Sequence, residues 1–204
     1  MAFDIETIRR QLRAREVSRR AEIAAEAEAP RRAAVAAILR PSGPDTEVLL
    51  IRRAERPGDP WSGHMAFPGG HYEPVDTDLR ATAMRETLEE VALDLREHEY
   101  LGQLDAVNAT ARGRFVGMTI TPHVFALGDA PLVLRPNHEV AELLWGSLGK
   151  MFRGEIDAVK EISYDGEKLS LPAFLVKDQL VWGMTHGMLR ALFALLQTGA
   201  TVTP

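Results

Sequence analysis

The chain has 204 residues, 46% hydrophobic and 26% charged, with a formal net charge of −5 and a pI near 5.7. That is material for one domain with a sizeable core, and it excludes broad nucleic-acid binding, which needs a basic footprint. Cysteine is absent, which also excludes disulfides, thiolate nucleophiles and cysteine-ligated zinc.

No stretch reaches about 18 consecutive apolar residues, and the N-terminus has no apolar run of signal-peptide type, so a cytoplasmic protein without membrane contact is expected. Residues Asp4 to Ala29 read as a charged, Ala-rich helix ended by Pro30. Ile5, Ile8, Leu12 and Val17 give it a thin apolar edge, which suits a helix laid on the domain better than a dimer or partner helix. The expected organisation is therefore an N-terminal helical segment, residues 1–30, packed on a single domain, residues 31–204.

Ala33 to Leu39 and Glu47 to Arg53 read as two strands around a Pro-Ser-Gly-Pro-Asp loop, a hairpin pattern. Arg53 to Gly63 is too rich in Gly and Pro for regular structure, and loops of this kind often carry binding residues. Trp61 in that loop can stack on a base, cap a pocket, or simply wedge beneath the loop. His64 and His71 flank the Pro-Gly-Gly turn that follows, where a histidine more often serves structure than function.

The stretch from Phe67 to Leu93, FPGGHYEPVDTDLRATAMRETLEEVAL, organises the rest. Its two glycines permit backbone angles and approaches that a side chain would block. Asp76 to Asp78 offers a helix start, and the absence of Gly and Pro beyond it lets the helix run at least to Val91. Ala81, Met84, Leu88 and Val91 recur at spacings of three, four and three, predicting an apolar stripe on the core. Glu86, Glu89 and Glu90 then project from the opposite side. Like charges at these spacings repel, and a divalent cation relieves the repulsion by taking their oxygens as ligands. Arg85 can reach Glu89 one turn on and fix it. Alone, an E-x-x-E-E triplet is more often a solvated helix face.

Tyr100 to Val107 and Phe115 to Leu127 read as strands around NATARGR, a loop whose Arg112 and Arg114 could meet an anion. Val140 to Trp145 is a further strand, preceded by Asn137, His138 and Glu139. Ser147 to Phe152 is a short helix. Ile162 to Tyr164 and Lys168 to Val176 suggest a hairpin about Asp165-Gly166. Trp182 to Leu196 reads as an apolar helix with a fraying tail. Strands and helices mix without βαβ alternation, so the fold class is α+β, a mixed β-sheet flanked by helices.

FPGG followed by RETLEEVAL resembles the Nudix box, G-x5-E-x7-R-E-U-x-E-E-x-G-U, with U bulky and apolar. Gly70 to Arg85 is one residue longer than the pattern, with Asp76 near the place of the first Glu. Ala92 replaces the late Gly, so the helix exit is expected to turn less sharply. The resemblance implies a mixed sheet sandwiched between helices (α/β/α) and a Mg²⁺- or Mn²⁺-dependent hydrolase of nucleoside diphosphates linked to another group. It implies Glu86, Glu89 and Glu90 as metal ligands, with the Gly70 carbonyl as a further one. Arg85, Glu86 and Glu89 become catalytic candidates. Glu89 is preferred as general base over Glu139 and Glu142. Arg52, Arg53, Trp61, Gly69 and Gly70 are the candidate substrate contacts. Homodimers occur in the family, though nothing in the sequence fixes one here.

The leader EVLLIRRAERPGDPWSGHMAFPGG and the C-terminal LPAFLVKDQLVWGMTHGMLRALFALL are similar to the coenzyme A pyrophosphatase branch of that family. The branch's leader usually has a histidine a few residues before the Gly, where this chain has Pro60, Trp61 and Ser62. The implied substrate is a small nucleotide: coenzyme A or its acyl form, with ADP-ribose or a nucleotide sugar as the alternative. A non-catalytic nucleotide-binding module is the rival from another class, and the intact carboxylates speak against it.

Overall fold

The segment RRAAVAAILR is apolar on both faces, the pattern of a strand covered on both sides, and it becomes the centre of the molecule. A computed structural model describes residues 4–19, 31–111, 113–128, 132–164 and 166–198. In chain order these form α1 (Ile5–Arg19), β1 (Arg31–Ser42), β2 (Asp45–Arg53), β3 (Met65–Ala66), β4 (Gly69–His71) and α2 (Leu79–Val91). There follow β5 (Glu99–Gln103), β6 (Val107–Ala111), β7 (Arg114–Ala126), β8 (Val140–Ser147) and α3 (Leu148–Phe152). The chain then closes through β9 (Asp157–Tyr164), β10 (Glu167–Val176), β11 (Gln179–Trp182) and α4 (Gly183–Thr198).

The main sheet runs β3-β2-β1-β7-β5, with β4 beside β1, β6 against β7 and β8 against β2. β1 and β7 are parallel, from Arg31 opposite Met118 to Leu39 opposite Ala126, and the other pairings are antiparallel. One detail of register builds the site. The outer half of β1 pairs with β2, but its inner half pairs with β4, Val35 opposite Gly69 and Ala34 opposite Gly70. β2 meanwhile pairs with β3 at Ile51 and Arg52. The two strands thus part, and Met65 to His71 fills the opening, with the Ala36 amide donating to the Pro68 carbonyl at 2.8 Å.

Each face of the sheet has its own core. Ala34, Ala36, Ile38, Leu49, Ile51 and Phe125 meet Ala83 and Val91 of α2. Ala33, Ala37, Leu39 and Leu50 lie in the other core, with Ile8 and Leu12 of α1 and Leu189 and Phe193 of α4. This is the expected α/β/α sandwich. A smaller sheet, β11-β10-β9, adds Phe174 and Val181 to the second core. Among the described residues no helix is long and apolar enough to cross a membrane.

Several elements differ from expectation. The NATARGR segment is largely strand: β6 occupies Val107–Ala111, and the single strand expected over Tyr100–Val107 ends at Gln103. Of β6 only Ala109 is buried, so its alternation is written in small and polar residues that carry little hydrophobic signal. Strands β3, β4 and β11 are two to four residues long, below the length at which periodicity speaks. Both hairpins appear as expected. α1 occupies Ile5–Arg19, while residues 20–30, Arg112 and Asp165 lie outside the described residues.

Candidate active site

Helix α2 starts where Asp78, with extended backbone, accepts the Ala81 amide at 2.7 Å. It ends at Ala92, whose φ of 57° is left-handed and whose amide donates to the Leu88 carbonyl at 3.0 Å. The exit is therefore as sharp as a glycine would make it, against expectation.

The buried face also differs from the predicted stripe. Thr82, Ala83, Thr87, Glu90 and Val91 are buried, whereas Leu88 is 45% exposed. Two threonines can face the core because each has an internal acceptor: Thr87 Oγ1 donates to the Ala83 carbonyl at 2.7 Å and Thr82 Oγ1 to Asp76 at 2.9 Å. The apolar count pointed one way, and the polar groups with local partners turned the helix the other. The rotation carries Glu90 inward, 3% exposed, leaves Glu86 at the rim and sets Glu89 outside, its side chain 55% exposed.

Glu86 and Glu90 both meet the two glycines. The Gly69 amide donates to Glu90 Oε2 at 2.9 Å. A Cβ on Gly70 would lie 2.5 Å from the Glu86 Cδ and Oε1, so only glycine lets that carboxylate rest on the backbone. Gly69 is constrained from the other side: its φ is 149°, and a Cβ would stand 2.3 Å from the Ala34 carbonyl oxygen. Burial pushes the Glu90 carboxyl up to about 8, against the hydrogen bond from Gly69, with Glu86 and Glu139 adding repulsion. Glu86 is raised too, chiefly by desolvation, with the Arg85 charge opposing.

Arg85 binds mainly upstream. Its Nε and Nη2 clasp Asp76 at 2.9 and 3.0 Å, Nη2 also meets the His71 carbonyl at 3.0 Å, and Nη1 reaches Glu86 at 3.0 Å. The anticipated contact to Glu89 is the longest, at 3.4 Å. The guanidinium beside Asp76 holds that buried carboxyl down at about 2. This fork ties the Pro-Gly-Gly segment to the helix.

The carboxylates line a cleft of about 680 Å³. Gly69, Gly70, Arg85, Glu86, Glu89 and Glu90 line it, as do Arg53, Trp61 and Glu139. Trp61 also spends its indole N–H on the Thr110 carbonyl at 3.0 Å, so it both walls the cleft and pins its loop to β6. Arg53 pairs with Asp59 at 2.7 Å. Arg52 is elsewhere: it pairs with Glu142 at 3.4 Å across β2 and β8, and neither lines the cleft. Of the three base candidates, the cleft thus gathers Glu89 and Glu139. His64, desolvated and with its ring tilted against that of Trp182 at 4.6 Å between centroids, and His71 line it as well.

The cleft also has an apolar lining that the sequence reading missed: Met65, Met118, Ile120, Met184 and Met188. Met184 and Met188 are four apart on α4 and read as a helix face, but nothing local says which cavity that face meets. Arg56, on the Gly-Pro loop, is another missed lining residue.

Among the described residues no group of three or more acidic or histidine side chains sits ready-made at metal-ligand spacing. Glu86 and Glu90 both lie against the Gly69-Gly70 backbone, and that donor set of two carboxylates and a carbonyl fits a hard ion. Mg²⁺ characteristically takes one or two carboxylates and keeps its other positions for water and phosphate. A divalent charge would also favour ionisation of Glu86 and Glu90, the two groups that burial pushes upward.

Residues 30–164 match the NUDIX domain, well over half of the chain. The chain belongs to the NUDIX family. An uncharacterized protein of Schizosaccharomyces pombe is 39% identical over 132 residues, 63% of this chain and 40% of that protein. The human mitochondrial coenzyme A diphosphatase NUDT8 is 32% identical over 155 residues, 74% of this chain and 64% of its own. The chain thus spans less than two thirds of the length of both. The Nudix hydrolase NudL of Yersinia enterocolitica is 31% identical over 149 residues, 73% of each chain. Among solved structures, a Caenorhabditis elegans Ap4A hydrolase complex superposes with a TM-score of 0.56 at 19% identity, covering 83% of this chain and 98% of that one. A MutT/nudix protein of Enterococcus faecalis gives 0.53 at 20%, covering 83% and 63%. At such identities the likeness concerns the fold.

The NUDIX box can now be set on the structure. Asp76, six residues after Gly70, fills the place of the first glutamate through its fork with Arg85. The extra residue falls between Asp76 and Arg85, in the stretch that enters α2.

Proposed function

We propose that this NUDIX protein hydrolyses the diphosphate of coenzyme A or acyl-coenzyme A, yielding 3′,5′-ADP and the phosphopantetheine half. The observation that carries this reading is the mixed lining of the cleft. Carboxylates and the Gly-Gly strand share it with four methionines and Ile120. Thioether side chains adapt to flexible, partly apolar groups, which describes the pantetheine arm better than a second sugar. The relatedness to coenzyme A diphosphatase NUDT8 supports the same choice.

Glu86, Glu90 and the Gly70 carbonyl would hold Mg²⁺ or Mn²⁺, with Glu89 as an outer ligand. Bound there, the ion would neutralise charge growing on the phosphate oxygens and make water a better nucleophile. The chain's own part is positioning. Gly69 fixes Glu90 by its amide, and Arg85 fixes Glu86 while anchored on Asp76. Glu89 or Glu139 would take the proton of the attacking water, since both face the cleft. Electrostatic stabilisation supplies most of the acceleration.

Trp61 favours a second reading. With its flat indole in the cleft where the branch usually has histidine nearby, ADP-ribose or a nucleotide sugar is the alternative. A hydrolysis panel with Mg²⁺ and Mn²⁺ separates them. Coenzyme A and its acyl forms should be turned over faster than ADP-ribose, UDP- and GDP-sugars and nucleoside triphosphates. A higher kcat/KM for ADP-ribose or a sugar would replace the coenzyme A reading, and binding without turnover of any of them would end the hydrolase reading.

A further inference from the structure

Among the described residues three arginines line the cleft, and they are not equally committed. Arg85 is locked by Asp76, Glu86 and the His71 carbonyl. Arg53 is held by Asp59, whose carboxylate is only 16% exposed. Arg56 differs. Its side chain is 46% exposed, and its Nη2 rests on Glu139 Oε1 at 2.8 Å and beside His138 Nε2 at 3.1 Å. Glu139 is itself 38% exposed and His138 80%, so solvent reaches every member of this contact. Exposed ion pairs of this kind hold weakly and exchange partners readily.

The backbone under Arg56, in contrast, is fixed. Its amide donates to Ser62 Oγ at 2.8 Å and its carbonyl accepts from the Asp59 amide at 3.2 Å. A short, pinned loop thus presents a guanidinium that is free to change partner. Its resting partner is also the right neighbour. The Asn137 amide donates to the Glu90 carbonyl at 2.8 Å and the Glu139 amide to Asn137 Oδ1 at 2.7 Å, which sets Glu139, and Arg56 with it, beside the last turn of α2 that carries Glu90. A planar fork with spare N–H groups matches phosphate oxygens two at a time.

We propose that Arg56 is the phosphate-positioning residue of this cleft, parked on Glu139 in the free protein and transferred to the substrate's diphosphate when it binds. Transfer does two things at once. It gives the diphosphate a cation beside the carboxylates, and it leaves Glu139 without its guanidinium. The assignment rests on the diphosphate-hydrolase reading for its purpose, but its test does not depend on turnover.

The experiment is calorimetric binding of ADP, with Mg²⁺ present, to the full chain and to Arg56→Ala, Arg56→Lys, Glu139→Gln and the Arg56→Ala/Glu139→Gln double variant. Loss of charge-assisted hydrogen bonds to phosphate should weaken ADP by roughly tenfold or more in Arg56→Ala. Lysine should recover part of the loss, since it keeps the charge but not the fork. The loss must persist in the Glu139→Gln background. With coenzyme A as substrate, Arg56→Ala should raise KM by a similar factor and change kcat less. Binding within twofold of wild type in Arg56→Ala would overturn the proposal. So would a loss that vanishes once Glu139 is glutamine, because Arg56 would then merely hold Glu139, and so would failure of the wild-type chain to bind ADP. ADP binding that follows this pattern in a chain that cleaves no diphosphate would leave Arg56 assigned and remove the hydrolase reading alone.

Discussion

Asp76 and Glu90 are both carboxylates beneath the same cleft, and their surroundings drive them in opposite directions. Asp76 is neutralised by the Arg85 fork and pulled down to about 2. A group depressed in the folded state adds stability above its unfolded value, near 3.9, and that stability is lost as pH falls through about 2. The shift corresponds to roughly 2 kcal/mol. Asp76→Asn should therefore lower the Tm at pH 7 by about 4–8 °C and flatten the acid limb of the stability curve. A Tm unchanged from wild type would mean that the fork contributes nothing to the fold. Glu90 is the reverse case. Burial raises it to about 8, so in the metal-free protein it subtracts stability as pH rises from its unfolded value, near 4.3, through 8. Glu90→Gln keeps an acceptor for the Gly69 amide and removes the charge. It should raise the Tm of the metal-free protein above pH 8 while cutting kcat by about 10²-fold or more. Near-normal turnover in that variant would remove Glu90 from the metal site.

Helix α2 shows how far sequence carries at the level of the element. Its start at Asp78, its run to Val91 and the cleft-side cluster of Arg85, Glu86 and Glu89 were legible, because capping and motif spacing are local properties. Its buried face was not. Hydrophobicity assigned Leu88 to the core and Glu90 to solvent, and the structure exchanges them. The exchange depends on partners that lie elsewhere in the chain: Asp76 for Thr82 and Gly69 for Glu90. The exit was misjudged for a similar reason. Ala92 is held left-handed by the hydrogen bond from its amide to the Leu88 carbonyl and by the segment beyond, where the Arg135 and Asn137 amides donate to the Val91 and Glu90 carbonyls. A non-glycine residue in that region costs about 1–2 kcal/mol. Ala92→Gly should accordingly stabilise the protein by about 1 kcal/mol, offset in part by glycine's greater freedom in the unfolded chain, and lift the Tm by about 2–4 °C. A lower Tm would show that the alanine methyl makes packing contacts worth more than the strain. Arg52 was misplaced for want of the strand pairing that sets it opposite Glu142.

At the scale of the whole molecule, the cleft depends on the two sheet faces being filled by different parts of the chain. α2 closes one face and brings the carboxylates; α4 closes the other and brings Met184 and Met188 into the cleft wall. The first helix belongs to the second of these cores. Ile8 and Leu12 are buried there, and Arg9 is bound to Glu99 of β5 at 2.8 and 2.6 Å. Gly102 makes the close approach possible: its φ is 141°, and a Cβ there would stand 3.2 Å from the Leu12 Cβ. The helix thus packs on a strand shaped to receive it. Leu12→Ala would open a cavity between α1 and β5, at a cost of about 3 kcal/mol, and should lower the Tm by about 6–12 °C. Because the cavity lies on the face away from the carboxylates, kcat measured well below the melting transition should stay within about twofold. Chemical denaturation should show a reduced midpoint with an unchanged m-value. A large fall in kcat with little change in Tm would mean that α1 shapes the cleft itself and does not merely close the core behind it.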